Sequence, residues 1–134
     1  MRAIVVGYDG SEAARRALER VAALARNGAD VTVVSAPPVN FSSLGPQPPD
    51  EADLPEHARQ VEEARGILAR SWVDARGVDR PGIPADVILE EAENVGADLI
   101  VVGTGRKNVA ERLVLGSVSE KVLHHAPCDV LVVR

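Results

Sequence analysis

Residues 3–27 read AIVVGYDGSEAARRALERVAALARN, and this stretch decides the fold. Residues 3–6 are apolar and β-rich, with Gly7 behind them. A run with no polar alternation reads as a strand buried on both faces. Tyr8-Asp9-Gly10-Ser11 is turn chemistry, and Ser11 stands where a helix cap belongs. Apolar residues then recur at Ala14, Leu18, Val21 and Ala25, the spacing of one helical face. Asn27-Gly28 supplies the stop.

The strand-then-helix pattern continues along the chain. Residues 31–34 (VTVV) form a second strand. Residues 37–53 carry Pro37, Pro38, Pro46, Pro48 and Pro49 and no periodicity, which predicts a long surface loop without regular structure. Residues 54–75 read as a second helix with Ala58, Val61, Ala64 and Leu68 on one face. The short, mostly polar run at 77–81 (GVDRP) predicts a strand that is shortened or lost. A third helix covers 85–95, with Ile88, Ala92 and Val95 in phase, and 98–103 (DLIVVG) is a clear strand. Beyond Gly116, Val118, Val122, Leu123 and Ala126 mark one face of a short helix that Pro127 limits. Residues 129–133 (DVLVV) make the last strand. Apolar strands alternating with helices imply a parallel sheet covered on both faces, an α/β three-layer sandwich that is doubly wound.

At 134 residues the chain is read as one domain, 1–134. Only 2% of it is aromatic, namely Tyr8, Phe41 and Trp72, so the core must be built from Val, Ile, Leu and Ala. Stacking platforms for single-stranded nucleic acid are missing. A net charge of −5 argues against a groove that tracks a phosphate backbone. The lone Cys128 excludes an internal disulfide and fits a reducing compartment. The N-terminus runs straight into a strand without a signal-peptide pattern, and no apolar run reaches transmembrane length. The expectation is a cytoplasmic protein. Trp72 is expected to cover the core beside the second helix, and Cys128 to act as a small hydrophobe. His124 and His125 point about 100° apart on a helix and cannot share a metal, so packing or solvent is expected for them. Glu62-Glu63 and Glu90-Glu91 read as solvated helix faces.

Doubly wound sheets bind ligands beyond the carboxyl ends of their strands. Two segments lie there by construction, residues 8–11 and 103–117. Gly103, Gly105 and Gly116 allow close backbone approach and positive φ. Gly116-Ser117-Val118-Ser119 opens a helix whose N–H groups and dipole suit a phosphate, with two hydroxyls to add. Arg106 and Lys107 bring positive charge. Asp9 could accept from ribose hydroxyls or hold a metal through water. Each feature alone has a plainer reading: turn glycines, an ordinary cap, an Asx-turn. Together at one sheet edge they favour an anion or nucleotide site. There is no Walker A pattern and no GxGxxG. No histidine is read at this edge, and no catalytic or metal-ligating residue is assigned.

The opening AIVVGYDGSEAARRAL, the strand GADLIVVG and the closing GSVSEKVLHHAPCDVLVVR resemble the universal stress proteins over nearly the whole chain. The resemblance implies a five-stranded parallel sheet in the order 3-2-1-4-5, counted along the chain. It implies a homodimer joined through the last strand, at Val130, Leu131, Val132 and Val133. It implies ATP or another adenine nucleotide as ligand, with or without Mg. Many members bind ATP through Gly, two residues, Gly, nine residues, then Gly-Ser or Gly-Thr. Gly103 fits the first position, and Gly116-Ser117 the last pair. The second glycine is Arg106 here, with Gly105 one place early. Either Arg106 shifts the loop and fills the phosphate space, or Gly105 absorbs the strain and Arg106 reaches the phosphates. The resemblance also places Asp9 near a ribose, Ala36 against an adenine, and Val118 and Ser119 at the phosphates. Regulation through nucleotide binding is the leading expectation. The same fold acting through protein contacts is the alternative, and slow ATP hydrolysis ranks third.

Overall fold

A computed structural model describes residues 2–36, 40–42, 44–47, 54–105 and 115–134. The first βα unit is β1 (Ala3–Gly7) and α1 (Glu12–Leu24), followed by β2 (Asp30–Val34). Ile4 and Val6 face one side of the sheet and Val5 the other, and all three are fully buried. That is why β1 shows no polar face. Ser11 caps α1, its Oγ accepting from the Ala14 N–H at 3.1 Å. The expected face of α1 (Ala14, Leu18, Val21, Ala25) is buried throughout.

Two short strands follow, β3 (Asn40–Ser42) and β4 (Gly45–Gln47), paired antiparallel. The proline-rich stretch therefore contains a hairpin, contrary to the sequence reading. Pro46 sits in a two-stranded pair, where each strand is an edge and a missing N–H is tolerated. The chain continues as α2 (Leu54–Ala69), β5 (Ala75–Val78), α3 (Pro84–Val95), β6 (Leu99–Gly103), α4 (Ser117–His125) and β7 (Asp129–Val133).

The main sheet has five parallel strands in the order β5-β2-β1-β6-β7, which is the expected 3-2-1-4-5. Helices α1 and α2 close one face over Ile4, Val6, Val31, Val33, Leu99 and Val101. Helices α3 and α4 close the other over Val5, Val34, Ile100 and Val102. At the opposite end from the strands' carboxyl termini, Asp98 ties β6 to β1. Its Oδ2 accepts from the N–H groups of Arg2 and Ala3 at 2.8 and 3.0 Å. These bonds to the charged form hold the Asp98 carboxyl below the usual carboxylate range. Among the described residues no helix is long and apolar enough to cross a membrane.

The edge strand expected to be shortened or lost is β5, with four residues against five in each of its sheet partners. It lies two residues earlier than the run 77–81, because α2 stops at Ala69 rather than near 75. The stop is a Schellman-type turn. The Val73 N–H bonds the Leu68 carbonyl at 3.1 Å, and the Trp72 N–H bonds that of Ala69 at 3.0 Å. Trp72 holds the left-handed position, with φ 63°, and its side chain is 96% exposed. It does not cover the core. Val73 fills that role, buried with Leu68 in one cluster. Glycine is the usual residue at such a position because a Cβ costs free energy there. Trp72→Gly is therefore expected to raise stability by about 0.5–1 kcal/mol. Urea unfolding measures this; a lowered midpoint would mean that the indole packs usefully.

The face of α2 is also rotated from expectation. Ala58 is exposed, and Gln60, Val61, Ala64 and Leu68 are buried. On α4, Leu123 is 44% exposed while Ser119 and Val122 are buried. His124 and His125 are exposed, as is most of Glu62. Glu90 and Glu91 pair with Arg80 at 3.0 and 3.2 Å. Burial, then nearby Asp129 and Asp98, push the Cys128 thiol up, so it stays protonated and half-buried against the second face.

Candidate functional site

Strands β1, β2 and β6 end side by side, and a cavity of about 350 Å³ opens beyond them. Gly7, Tyr8 and Asp9 continue β1 into it; Val34, Ser35 and Ala36 continue β2; Val102 and Gly103 end β6. Pro84 and Ile88 of α3, Val118 of α4, and Glu56, His57 and Gln60 of α2 complete the wall.

Of the sequence-predicted residues, Asp9, Ala36, Gly103 and Val118 line this cavity. Gly105, Gly116, Ser117 and Ser119 belong to the segment that leads into α4 and to its first turn, beside Val118. Arg106 and Lys107 lie outside the described residues.

The three glycines have different causes. A Cβ on Gly103 would stand 2.8 Å from the Ala13 carbonyl carbon and from the Ala14 nitrogen, so this glycine lets α1 dock on β6. Gly105 has φ +103°, and among the described residues a Cβ there would meet nothing nearer than 3.8 Å, so the backbone conformation itself calls for glycine. It carries the positive φ one place ahead of Arg106. Gly116 is the N-cap of α4, and a Cβ on it would meet the Thr104 carbonyl oxygen at 2.7 Å. The Gly116 N–H donates to that same oxygen at 3.0 Å, while the Thr104 N–H donates to the Val133 carbonyl at 2.9 Å. Thr104 thus pins the start of α4 to the end of β7. Glycine as N-cap brings no side chain of its own to the helix start. The first-turn N–H groups and positive dipole end of α4 suit an anion or water.

Two predicted ligand groups also serve the local structure. Asp9 Oδ1 accepts from the Ser11 N–H at 2.9 Å, an Asx-turn. Ser119, 1% exposed, donates its hydroxyl proton to the Gly116 carbonyl at 3.0 Å. Ser117 is exposed at the first position of the helix.

The α2 wall was missed in the sequence. Ser35 Oγ lies 2.9 Å from His57 Nδ1 and 3.0 Å from Gln60 Oε1, and Gln60 Nε2 donates to the Asp9 carbonyl at 3.4 Å. The expectation of no histidine at this edge is thereby corrected. The signal was available: residues 57, 60, 61, 64 and 68 share one helical face. Ser35 and His57 have the separation of a nucleophile and its base. But the serine is 2% exposed and its one proton is directed at Gln60, so the pair works as a strut. Tyr8, 3% exposed, donates to Glu63 Oε1 at 2.7 Å, which also receives Arg15 at 2.9 Å. Burial, reinforced by the bond to Glu63, pushes the Tyr8 phenol up to about 12. It is a donor at neutral pH and no general base.

A model of the universal stress protein family matches residues 1–134. A protein of Staphylococcus epidermidis assigned to the universal stress proteins is 34% identical over 141 residues, covering 98% of this chain and 82% of the relative. A universal stress protein from Archaeoglobus fulgidus, solved in complex with dAMP, superposes with a TM-score of 0.77 at 25% identity, over 100% of this chain and 98% of that one. Another, solved in complex with cAMP, gives a TM-score of 0.77 at 26% identity, over 99% and 97% of the two chains. With its whole length matched and its fold shared, the chain belongs to the universal stress protein family.

Proposed function

We propose that the chain is a regulatory protein that binds an adenine nucleotide in the cavity at the ends of β1, β2 and β6. One observation carries this reading: the cavity joins two unlike ends. On the β2 side, Val34 and Ala36, with Pro84 and Ile88 of α3 beside them, give apolar lining suited to a flat base. On the β6 side, Gly103 and Val118 line the cavity, and Val118 belongs to the first turn of α4, whose N-cap glycine brings no side chain of its own, an end suited to a phosphate. Strands β2 and β6 flank β1, so the two ends stand roughly 10 Å apart, the span of a nucleoside monophosphate. A volume of about 350 Å³ lies within the range of small-molecule sites. Asp9 lines the cavity between the two ends, and in this reading it meets the ribose. The two relatives solved with dAMP and cAMP support the reading.

Nucleotide at a hundredfold excess over its Kd adds about 2.7 kcal/mol to stability, a rise in Tm on the order of 5–10 °C. Thermal melts with AMP and ATP, with and without magnesium, check this. No shift at millimolar nucleotide would overturn the reading and leave protein contact as the mode of action. Assembly is the second part of the proposal. Among the described residues β7 pairs only with β6 and ends the sheet, and Val130, Leu131 and Val132 along it are half-buried. An apolar parallel edge of this kind pairs readily with a second copy. Sedimentation velocity at micromolar concentration should give a dimer; a monomer refutes this part.

A further inference from the structure

We propose that His57 is a specificity-determining residue at the base end of the cavity, presenting a hydrogen-bond acceptor that favours a 6-amino purine over a 6-oxo purine. The inference rests on the nucleotide-binding reading above and deepens it.

The argument is a count of protons. The Asp9 carbonyl only accepts, so the Gln60 atom 3.4 Å from it is the amide nitrogen. The amide oxygen of Gln60 therefore faces Ser35, at 3.0 Å. A carbonyl oxygen there takes the single hydroxyl proton of Ser35. Ser35 Oγ has only lone pairs left for His57 Nδ1, at 2.9 Å. Nδ1 must then carry the ring proton, and in the neutral imidazole Nε2 is an acceptor. The tautomer is set by a backbone carbonyl of the β1–α1 turn, three groups away. Two of those groups, Ser35 and Gln60, are buried and held in place. His57 itself lines the cavity.

Glu56, the next residue on the same wall, is a carboxylate that only accepts. On the α2 wall Glu56 and His57 Nε2 are thus acceptors, and the donor beside them is the second N–H of the buried Gln60 amide. An adenine 6-amino group brings two N–H donors to this wall. A hypoxanthine 6-oxo group brings a third acceptor and leaves the pairing unmet.

Isothermal titration of AMP and IMP against the wild type, His57→Leu and Gln60→Met gives the test. The wild type is expected to bind AMP about tenfold more tightly than IMP. His57→Leu should reduce that ratio severalfold by weakening AMP. Gln60→Met frees the Ser35 proton for Nδ1, so Nε2 can become a donor, and the preference should move towards IMP. Nitrogen-15 NMR of the ligand-free wild type reads the tautomer directly and should show the proton on Nδ1. A proton on Nε2, or an AMP/IMP ratio that is near one or unchanged in His57→Leu, overturns the inference while AMP binding stands. Failure of the folded wild type to bind either nucleotide overturns the nucleotide reading and this inference with it.

Discussion

Gly103→Ala is expected to destabilise the fold by about 2–3 kcal/mol, a large effect for one methyl group. The added Cβ would lie 2.8 Å from two backbone atoms of α1, in Ala13 and Ala14, and 3.0 Å from the Ala13 side chain. Backbone cannot rotate aside as a side-chain tip can. Moving α1 away would lift Ala17, Leu18 and Val21 from a core in which all three are fully buried. Gly105→Ala is the matched control. Among the described residues nothing lies nearer than 3.8 Å to the new methyl group, and the positive φ resists it at a cost of about 1 kcal/mol. Guanidinium unfolding of both variants decides the matter. Equal losses would mean that the α1–β6 contact is soft and that Gly103 is present for some other reason.

This contrast shows why sequence reading found the glycines and could not rank them. Their place at one sheet edge, and the resemblance to a family signature that Gly105 misses by one residue, marked Gly103, Gly105 and Gly116 together. Three-dimensional packing separates them into a helix-docking contact, a backbone turn and a helix cap. The layers of the fold were legible for a simpler reason. Strands such as AIVV and LIVV are apolar on both sides, and only a sheet covered twice can bury them. The end of α2 was not legible, because a left-handed tryptophan occupies the place where glycine would have announced the stop. The hairpin at Asn40–Gln47 was hidden by prolines that a two-stranded ribbon tolerates. In the candidate site, residues carried on the β1 and β6 connections were readable from position. Ser35, His57 and Gln60 were not, since they become neighbours only when α2 packs across the end of β2. Choosing Ala58 rather than His57 as part of the buried face turned the helix by one residue and took the histidine out of view.

Gly116→Val is expected to weaken AMP binding a hundredfold or more, equivalent to about 2.7 kcal/mol. The nearest obstacle to a side chain here is the Thr104 carbonyl oxygen, 2.7 Å from the first added carbon. That oxygen also receives the Gly116 N–H, so valine must lengthen the bond that seats the start of α4. A branched side chain would in addition crowd the first-turn N–H groups proposed to face the phosphate. Core stability should fall less than affinity, because the second-face anchor of α4, Val122, lies in the turn beyond the altered one. Ser119→Ala makes the complementary test. Its hydroxyl proton is already given to the Gly116 carbonyl, so its loss should lower stability by about 0.5–1.5 kcal/mol and change affinity little. Calorimetric titration with AMP, run beside urea unfolding on the same samples, separates the two effects. If Gly116→Val binds AMP as the parent does, the phosphate is not held at the start of α4. If Ser119→Ala loses affinity without losing stability, the hydroxyl turns towards the ligand when the nucleotide is bound.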